Sequence, residues 1–264
     1  MTSRNWSTYQ QAIFSAVANP ASGSLIVQAV AGSGKTTTIV EALARAPAGT
    51  ESIFLAFNKA IAEELKSRGV NARTFHSLTY TPVLRATGAS KVDSNKLRTL
   101  TREWPRDKAA MYGTAACKLV GLARQEGVGC LADDTDAFWL ALIERHEIEP
   151  DSEEGTQGGM IAAARELLAA SNGSKLVDFD DLLYWAVLRN VPLPRYGLIM
   201  VDEAQDTNAI QRAILRKIMA AGSRIVAVGD PAQAIYGFRG ADSDSMARIA
   251  REFNCSPQIG RAHV

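Results

Sequence analysis

The sequence predicts an α/β fold, with a parallel β-sheet flanked by helices and interrupted by a mostly helical subdomain. Short apolar runs alternate with helical periods in residues 1–84 and again in residues 176–258, whereas helical periods alone fill residues 85–175. Hydrophobic residues make up 47% of the 264 positions, which is enough to build a core. Because alternating strands and helices are typical of parallel βαβ units, we expect one sheet domain in two parts, with residues 85–175 inserted between them.

The first part of the sheet domain begins with a helix that Ser7 or Thr8 can cap. Continuous apolar runs then predict strands, and 3.6-residue periods predict helices. In order, these segments are a strand at Leu25–Val30, a helix at Thr36–Ala46, a strand at Ile53–Phe57, a helix at Asn58–Arg68 and a strand at Val70–Phe75.

The second part repeats the same rhythm after a helix at Phe179–Leu188. A strand is expected at Gly197–Val201, a helix at Ala209–Met219 and a strand at Arg224–Val228. Ser243 is then expected to cap a last amphipathic helix.

A glycine-rich loop, AGSGKT, follows the first predicted strand. Small residues let backbone N–H groups turn toward a polyphosphate, Lys35 adds a positive charge, and the Thr36 hydroxyl suits Mg²⁺. The full pattern begins with glycine where this chain has Ala29, and the alternative is a plain glycine-rich turn. We favour a nucleotide site, whose binding residues are Ala31, Gly32, Ser33, Gly34, Lys35, Thr36 and Thr37.

Two carboxylates, Asp202 and Glu203, directly follow a predicted strand. Ligands of open parallel sheets bind at the carboxyl ends of the strands. Asp202 is therefore a candidate Mg²⁺ ligand and Glu203 a candidate base for an attacking water. The alternative is an acidic turn that caps the next helix.

The segment GDPAQAIYGFRGA follows the strand at Arg224–Val228. Gln233 could reach a γ-phosphate there, and the rings of Tyr236 and Phe238 beside Arg239 could stack on bases. Taken alone, the two aromatic residues fit an ordinary core better. Likewise, His76 alone fits a structural histidine, and Asn58 alone fits a helix start.

Composition excludes several classes of protein. The net charge is +1, so nucleic-acid contacts must come from local patches. Three separated cysteines and three histidines predict neither a zinc site nor a disulfide framework. The N-terminus lacks the apolar segment of a signal peptide, and no apolar run approaches the ~18 residues of a membrane span. We expect a protein of the cytoplasm, with no membrane partner.

Together and in this order, these motifs resemble the UvrD/Rep family of superfamily 1 DNA helicases. The matching segments are WSTYQQAIF, AGSGKT, FLAFNKAIAEEL, TFHSL, VDFDDLL, VDEAQDT and GDPAQAIYGFRGA. The wording of FNKAIAEEL and GDPAQAIYGFRGA is most similar to F-box DNA helicase-like and phage-type members, so a phage protein acting in the host cytoplasm fits as well. The resemblance covers most of residues 8–242 and identifies the fold as a RecA-like P-loop domain with its inserted subdomain.

The resemblance implies roles for individual residues. Gln10 would read adenine, Lys35 and Thr36 would bind phosphate and Mg²⁺, and Gln233 would sense the γ-phosphate. The cofactors would be ATP and Mg²⁺, the partner single-stranded DNA, and the activity movement in the 3′ to 5′ direction. Residues lining the DNA track would be Phe57, Asn58, Phe75, His76, Tyr236, Phe238 and Arg239.

The chain also departs from the family. Phe238 stands where tryptophan is common, Ala234 where serine is common, and Thr37 where several members place an arginine on the adenine. The motifs of the second RecA-like domain, which supplies arginine fingers, do not occur in this sequence. Alternatives to a helicase fragment are the ATPase arm of a helicase–nuclease and a non-motor module that binds single strands.

The last six residues, IGRAHV, match one reading frame of a common short-read sequencing adapter. We therefore expect residues 259–264 to be a non-native tail at the end of an incomplete gene read.

Overall fold

The computed structural model describes residues 5–29, 35–230 and 245–262. Two compact units divide the chain. The sheet unit comprises Met1–Ser77, Pro194–Asn208 and Leu215–Val264, and the helical unit comprises Leu78–Leu193 and Ala209–Ile214. The predicted insertion, residues 85–175, lies inside the helical unit.

Within the described residues, a parallel sheet of six strands forms the centre of the sheet unit, and it confirms the predicted α/β class. The strands are β1 (Leu25–Ala29), β2 (Ser52–Leu55), β3 (Ala72–Arg73), β4 (Tyr196–Val201), β5 (Met219–Gly229) and β6 (Ser256–Ala262). Their spatial order is β3-β2-β4-β5-β1-β6, and each neighbouring pair is parallel. Strands that are distant in the sequence are therefore adjacent at the centre of the sheet.

The described helices follow the predicted rhythm. Their bounds are α1 (Thr8–Ala18), α2 (Lys35–Ala44), α3 (Lys59–Ser67), α4 (Phe75–Thr87), α5 (Lys96–Thr101), α6 (Arg106–Glu126), α7 (Asp136–Arg145), α8 (Gln157–Gly173), α9 (Phe179–Leu188), α10 (Ala209–Lys217) and α11 (Ser245–Glu252). Short 3₁₀ helices lie at Pro20–Ser22 and Ala204–Asp206. None of the helices in the described part of the chain is long and apolar enough to cross a membrane.

Alternate residues of the strands build the core of the sheet unit. Leu25 and Val27 of β1 share a buried cluster with Leu198 and Met200 of β4. Residues two apart point to the same face of a strand, so these side chains line one face of the sheet, where helix α1 contributes Phe14. The intervening residues are buried too, as both faces of parallel sheets usually are.

Helix α1 is anchored at both ends. At its start, Ser7 and Gln10 form a reciprocal capping box, as the sequence predicted for Ser7. At its end, the guanidinium of the buried Arg224 donates hydrogen bonds of 2.8 and 2.7 Å to the carbonyls of Ala16 and Asn19. A cation suits the negative end of a helix, so Arg224 of β5 fixes the helix that carries Gln10.

The third strand is much shorter than predicted. The sequence predicts a strand at Val70–Phe75, but β3 covers only Ala72–Arg73, and Phe75 already begins α4. Thr74 and Ser77 explain the early helix start, because each backbone N–H donates to the other residue's hydroxyl, at 2.9 and 3.1 Å. This reciprocal capping satisfies amides that a helix start leaves without partners.

Two other strands exceed the prediction. Strand β5 starts at Met219 rather than Arg224, and its pairing with β4 shifts register between Tyr196 and Leu198. Residues Ser256–Ala262 form β6 beside β1, where the sequence predicted no strand. The non-native origin of residues 259–264 stays a prediction.

The helical unit is built around α6, which packs on α5, α7, α8 and α9. Trp139 and Trp185 are completely buried within this unit. It also buries an ionic cluster, which consists of Lys96, Arg124, Asp178 and Asp181.

Candidate nucleotide and nucleic-acid site

Among the described residues of the sheet unit, the predicted site residues other than Gln10 follow the carboxyl ends of strands. Strand β1 leads toward α2, β4 leads to Asp202, and β5 leads to Asp230. These three strands are neighbours, with Gln28 paired to Gly229 and Val201 paired to Ala227. Their carboxyl ends therefore meet at one edge of the sheet, which is where ligands of such sheets bind.

Helix α2 begins at Lys35, and Thr36 and Thr37 lie half-buried in its first turn. Its amino-terminal end carries the positive pole of a ten-residue helix, which favours an anion. The predicted cradle residues Ala31, Gly32, Ser33 and Gly34 lie outside the described residues, as does the Lys35 side chain.

Gln10 lies against α2. Its Nε2 donates a 2.8 Å hydrogen bond to Oγ1 of Thr38, whose side chain is buried in the second turn. Its Oε1 accepts a hydrogen bond of 2.9 Å from the backbone N–H of Ser7. Both polar ends of the amide are thus engaged, and they hold Gln10 close to the helix that follows the glycine-rich loop.

Asp202 and Glu203 follow β4 in a constrained loop. The Asp202 backbone N–H donates to Leu55 O at 3.0 Å, which continues the pairing of β2 and β4. Asp202 is buried, and its Oδ1 accepts a 3.1 Å hydrogen bond from the Glu203 backbone N–H. Glu203 itself has a φ of +48°, in the left-handed region that costs a non-glycine residue about 1–2 kcal/mol. The loop therefore holds Glu203 in a backbone conformation that it would not adopt by preference.

A buried glutamine joins this loop to the end of β5. Gln205 Nε2 donates to Glu203 Oε2 at 2.7 Å, and its Oε1 accepts from the Asp230 backbone N–H at 3.0 Å. Gly229 leaves room for it, since a Cβ at that position would collide with Gln205 Oε1. Sequence reasoning missed Gln205, although its place two residues after Glu203 was a possible signal.

The predicted DNA-contacting residues differ in exposure. Phe57 is 42% exposed directly after β2, whereas Phe75 is buried at the start of α4. The Asn58 side chain accepts a 2.9 Å hydrogen bond from the Ile61 N–H and so caps α3. Burial lowers the pKa of His76, which favours the neutral imidazole. Gln233, Tyr236, Phe238 and Arg239 lie outside the described residues.

This parallel sheet, with the start of α2 and the acidic end of β4 at one edge, defines a RecA-like α/β domain of the nucleotide-using class. The chain belongs to the UvrD/REP helicase N-terminal domain family, which matches residues 9–254. The predicted family and fold are therefore confirmed.

The names of similar proteins are consistent with this family. The chain aligns with ATP-dependent DNA helicase UvrD2 of Mycobacterium tuberculosis at 25% identity over an alignment of 293 residues, gaps included. The alignment covers 90% of this chain and 40% of the relative. It is 29% identical over 283 residues to DNA helicase II of Escherichia coli, covering 90% of this chain and 35% of the relative. ATP-dependent DNA helicase srs2 of Schizosaccharomyces pombe is 37% identical over 84 residues, which is 30% of this chain and 10% of the relative. The chain thus spans well under half the length of these relatives.

Proposed function

We propose that this chain is the ATP-hydrolysing part of a motor that moves 3′ to 5′ along single-stranded DNA. The observation that carries the proposal is the meeting of β1, β4 and β5 at one sheet edge, which brings Asp202 and Glu203 toward the start of α2. A polyphosphate binding at that helix start would face a metal ligand and a base together. The names of the relatives support DNA as the track.

The donor set at this edge fits Mg²⁺. Asp202 offers carboxylate oxygens and Thr36 a hydroxyl, and hard oxygen donors are those that Mg²⁺ prefers. When bound, Mg²⁺ would neutralise charge on the phosphates. Lys35 would add a further positive charge from the first residue of α2, and Gln233 would sense the γ-phosphate.

Glu203 would act on the attacking water. Its carboxylate is held by Gln205 at the carboxyl edge of the sheet, where a water could be oriented and deprotonated. The proton would pass to the Glu203 carboxylate as the water oxygen attacks the γ-phosphorus and the bond to the leaving ADP oxygen breaks.

Gln10 would read adenine through the amide that now contacts Thr38. An amide offers one donor and one acceptor side by side, which matches the edge of adenine. Because Thr37 replaces an arginine found in several family members, Gln10 would carry more of the base recognition here.

Single-stranded DNA would run over the ends of β2 and β3 and the segment after β5. Exposed Phe57 can stack on a base, and such stacking contributes about 1–3 kcal/mol. Asn58 and His76 would contribute polar contacts, together with Tyr236, Phe238 and Arg239. Phe75 would act through packing, since it is buried.

Movement would require a second RecA-like domain, because a motor needs two domains that close on ATP. Arginine fingers from such a domain contribute roughly 10³–10⁵ in rate to phosphoryl transfer. We therefore expect residues 1–264 alone to bind nucleotide weakly and to unwind no DNA.

The test is the Lys35→Ala substitution in the full-length protein. We expect ATP hydrolysis stimulated by single-stranded DNA in the wild type and its loss in the variant, by about 10²- to 10³-fold, as is typical when one electrostatic group facing the transition state is removed. Lys175→Ala is the matched control, because it removes an exposed lysine of the helical unit. Unchanged stimulated hydrolysis in Lys35→Ala would refute the motor. Nucleotide-dependent DNA binding without hydrolysis in the wild type would instead favour a non-motor binding module.

A further inference from the structure

The side-chain amide of Gln205 connects two places that sequence motifs treat separately. It is 3% exposed and bridges the Glu203 carboxylate, at 2.7 Å, and the Asp230 backbone N–H, at 3.0 Å. Asp230 is the first residue after β5 and is itself buried. One buried side chain thus links the loop after β4 to the end of β5.

The chemistry of both partners determines which way the amide points. An ionised carboxylate only accepts hydrogen bonds, and a backbone N–H only donates. The Gln205 NH₂ group must therefore face Glu203, and its carbonyl oxygen must face Asp230. Glutamate at position 205 would lack the donor, and methionine would lack both groups, although each has nearly the size of glutamine.

Gly229 adds an independent steric observation. A Cβ at this position would collide with Gln205 Oε1 and would also crowd Met246 Sδ and the Ala204 backbone N. The backbone of β5 therefore approaches the amide so closely that Gln205 has little room to move. Glu203 has a long side chain with three rotatable bonds, and the hydrogen bond from Gln205 restricts where its carboxylate lies.

We propose that Gln205 is a positioning residue for hydrolysis: it holds the Glu203 carboxylate in its catalytic orientation by bracing it against the end of β5. This inference rests on the proposed role of Glu203 as the base. Because Glu203 and Asp230 engage both ends of the Gln205 amide, we expect its loss to change the rate of the chemical step and not the binding of ATP.

The first test replaces Gln205 in the full-length protein. In Gln205→Met, we expect kcat for DNA-stimulated ATP hydrolysis to fall about 10- to 100-fold, as is typical when a supporting partner is removed. We expect the KM for ATP to stay within about threefold, because ground-state binding is untouched. Gln205→Glu keeps the acceptor for Asp230 but loses the donor for Glu203, and we expect at least as large a loss.

The second test moves the amide without changing it. In Gly229→Ala, the new methyl group displaces Gln205, so kcat should fall as in Gln205→Met while the KM changes little. With Gln205→Ala the collision with the amide disappears and only the milder crowding against Met246 Sδ and the Ala204 backbone N remains. The kcat of the double variant Gln205→Ala/Gly229→Ala should therefore lie much closer to that of Gln205→Ala alone than to the product of the two single losses. Additive losses would show that the two positions act separately and would overturn the inference.

Two further kinetic outcomes would overturn the inference. Wild-type kcat in Gln205→Met would show that the residue only fills space, and a rise in KM matching the fall in kcat would show a role in binding; both overturn the inference. Melting temperature and nucleotide affinity verify that each variant is folded. If Glu203→Gln stays fully active, the proposed function itself fails. If Glu203→Gln is inactive while every Gln205 variant is active, only the present inference fails.

Discussion

Two acidic segments, one in each unit, differ in what surrounds their carboxylates. In the helical unit, Asp178 and Asp181 start α9 and contact buried cations. In the sheet unit, Asp202 and Glu203 follow β4 and accept hydrogen bonds from a backbone N–H and from the amide of Gln205. Both segments thus carry two carboxylates, but buried cations contact the pair in the helical unit, whereas a backbone N–H and an amide donate to the pair in the sheet unit.

The surroundings explain why one segment is structural and the other a candidate for catalysis. Lys96 Nζ lies 2.5 Å from Asp181 Oδ2, and Arg124 lies 2.9 Å from Asp178 Oδ2. Such cations neutralise the carboxylates and fasten α9 inside its unit. The Glu203 backbone N–H and the Gln205 amide are neutral donors, and such donors orient a carboxylate without cancelling its charge.

The largest expected effect separates these two roles. Glu203→Gln should lower kcat for DNA-stimulated ATP hydrolysis about 10²- to 10⁴-fold, because a glutamine cannot accept the proton of the attacking water. Its amide oxygen can still accept the hydrogen bond from Gln205, so the free energy of unfolding should change by only about 0.5 kcal/mol. Steady-state kinetics and chemical denaturation measure the two quantities.

The matched variant in the other segment is Asp181→Asn. Here we expect the reverse: a clear loss of stability and an unchanged kcat for the folded protein. If Asp181→Asn instead abolished hydrolysis without destabilising the fold, the division between structural and catalytic carboxylates would be wrong.

The next largest effect is expected from Lys96→Met. Lys96 is fully buried, contacts Asp181 and lies 4.2 Å from the centre of the Trp185 ring. Burial lowers the pKa of Lys96 and raises the pKa of Asp181, so desolvation works against both charges and their attraction offsets part of it. Removing one partner of a buried ion pair typically costs about 3–5 kcal/mol, and we expect the lower end of this range because Arg124 stays 3.5 Å from Asp181 Oδ1.

Denaturation of Lys96→Met measures this cost, and the double variant Lys96→Met/Asp181→Leu supplies the control. Replacing a buried pair by apolar side chains is often nearly neutral, so the double variant should recover most of the stability. A double variant less stable than Lys96→Met would mean that Asp181 is held mainly by Arg124 and the α9 cap.

The sequence predicted the regular parts of the sheet unit well. Apolar runs at β1, β2 and β4 and the helix signals of α1, α3 and α9 were sufficient, because local periodicity reports burial. The predicted length of β3 was wrong, because the reciprocal hydrogen bonds between Thr74 and Ser77 start a helix and so end the strand early. The sequence prediction also missed β6, since pairing with β1 depends on a partner far away in the sequence.

The candidate site was predictable where its functional residues are adjacent in the sequence, as Asp202 and Glu203 are. Gln205 was missed because its role depends on the backbone of Asp230, which approaches only in the folded sheet. The sequence placed Arg224 in a strand correctly. Its hydrogen bonds were not predictable for the same reason as those of Gln205, since the carbonyls that it binds belong to the end of α1.

The smallest expected effect concerns Asp180, whose pKa is raised to about 6. Burial is the largest cause of the raised pKa, and the negative charges of Asp178 and Asp181 raise it further. The positive charge of Arg124 lowers the pKa and so offsets part of the shift. The pKa of an unfolded aspartate is about 4. Between pH 4 and 6, therefore, the folded chain retains a proton that the unfolded chain has lost, and stability falls as the pH rises through this window.

Asp180→Asn removes this titration, because an amide stays neutral at every pH. At pH 7.5 we expect the free energy of unfolding of the variant to exceed that of the wild type by on the order of 1 kcal/mol. At pH 4 the two free energies of unfolding should be equal. Denaturation curves at both pH values measure it, with Asp133→Asn, an exposed aspartate of the same unit, as control. A variant that is less stable at pH 7.5 would mean that the ionised Asp180 carboxylate stabilises the unit by pairing with Arg124. The acidic segment at α9 would then be wholly an ion-pair structure, and its contrast with the segment after β4 would become sharper.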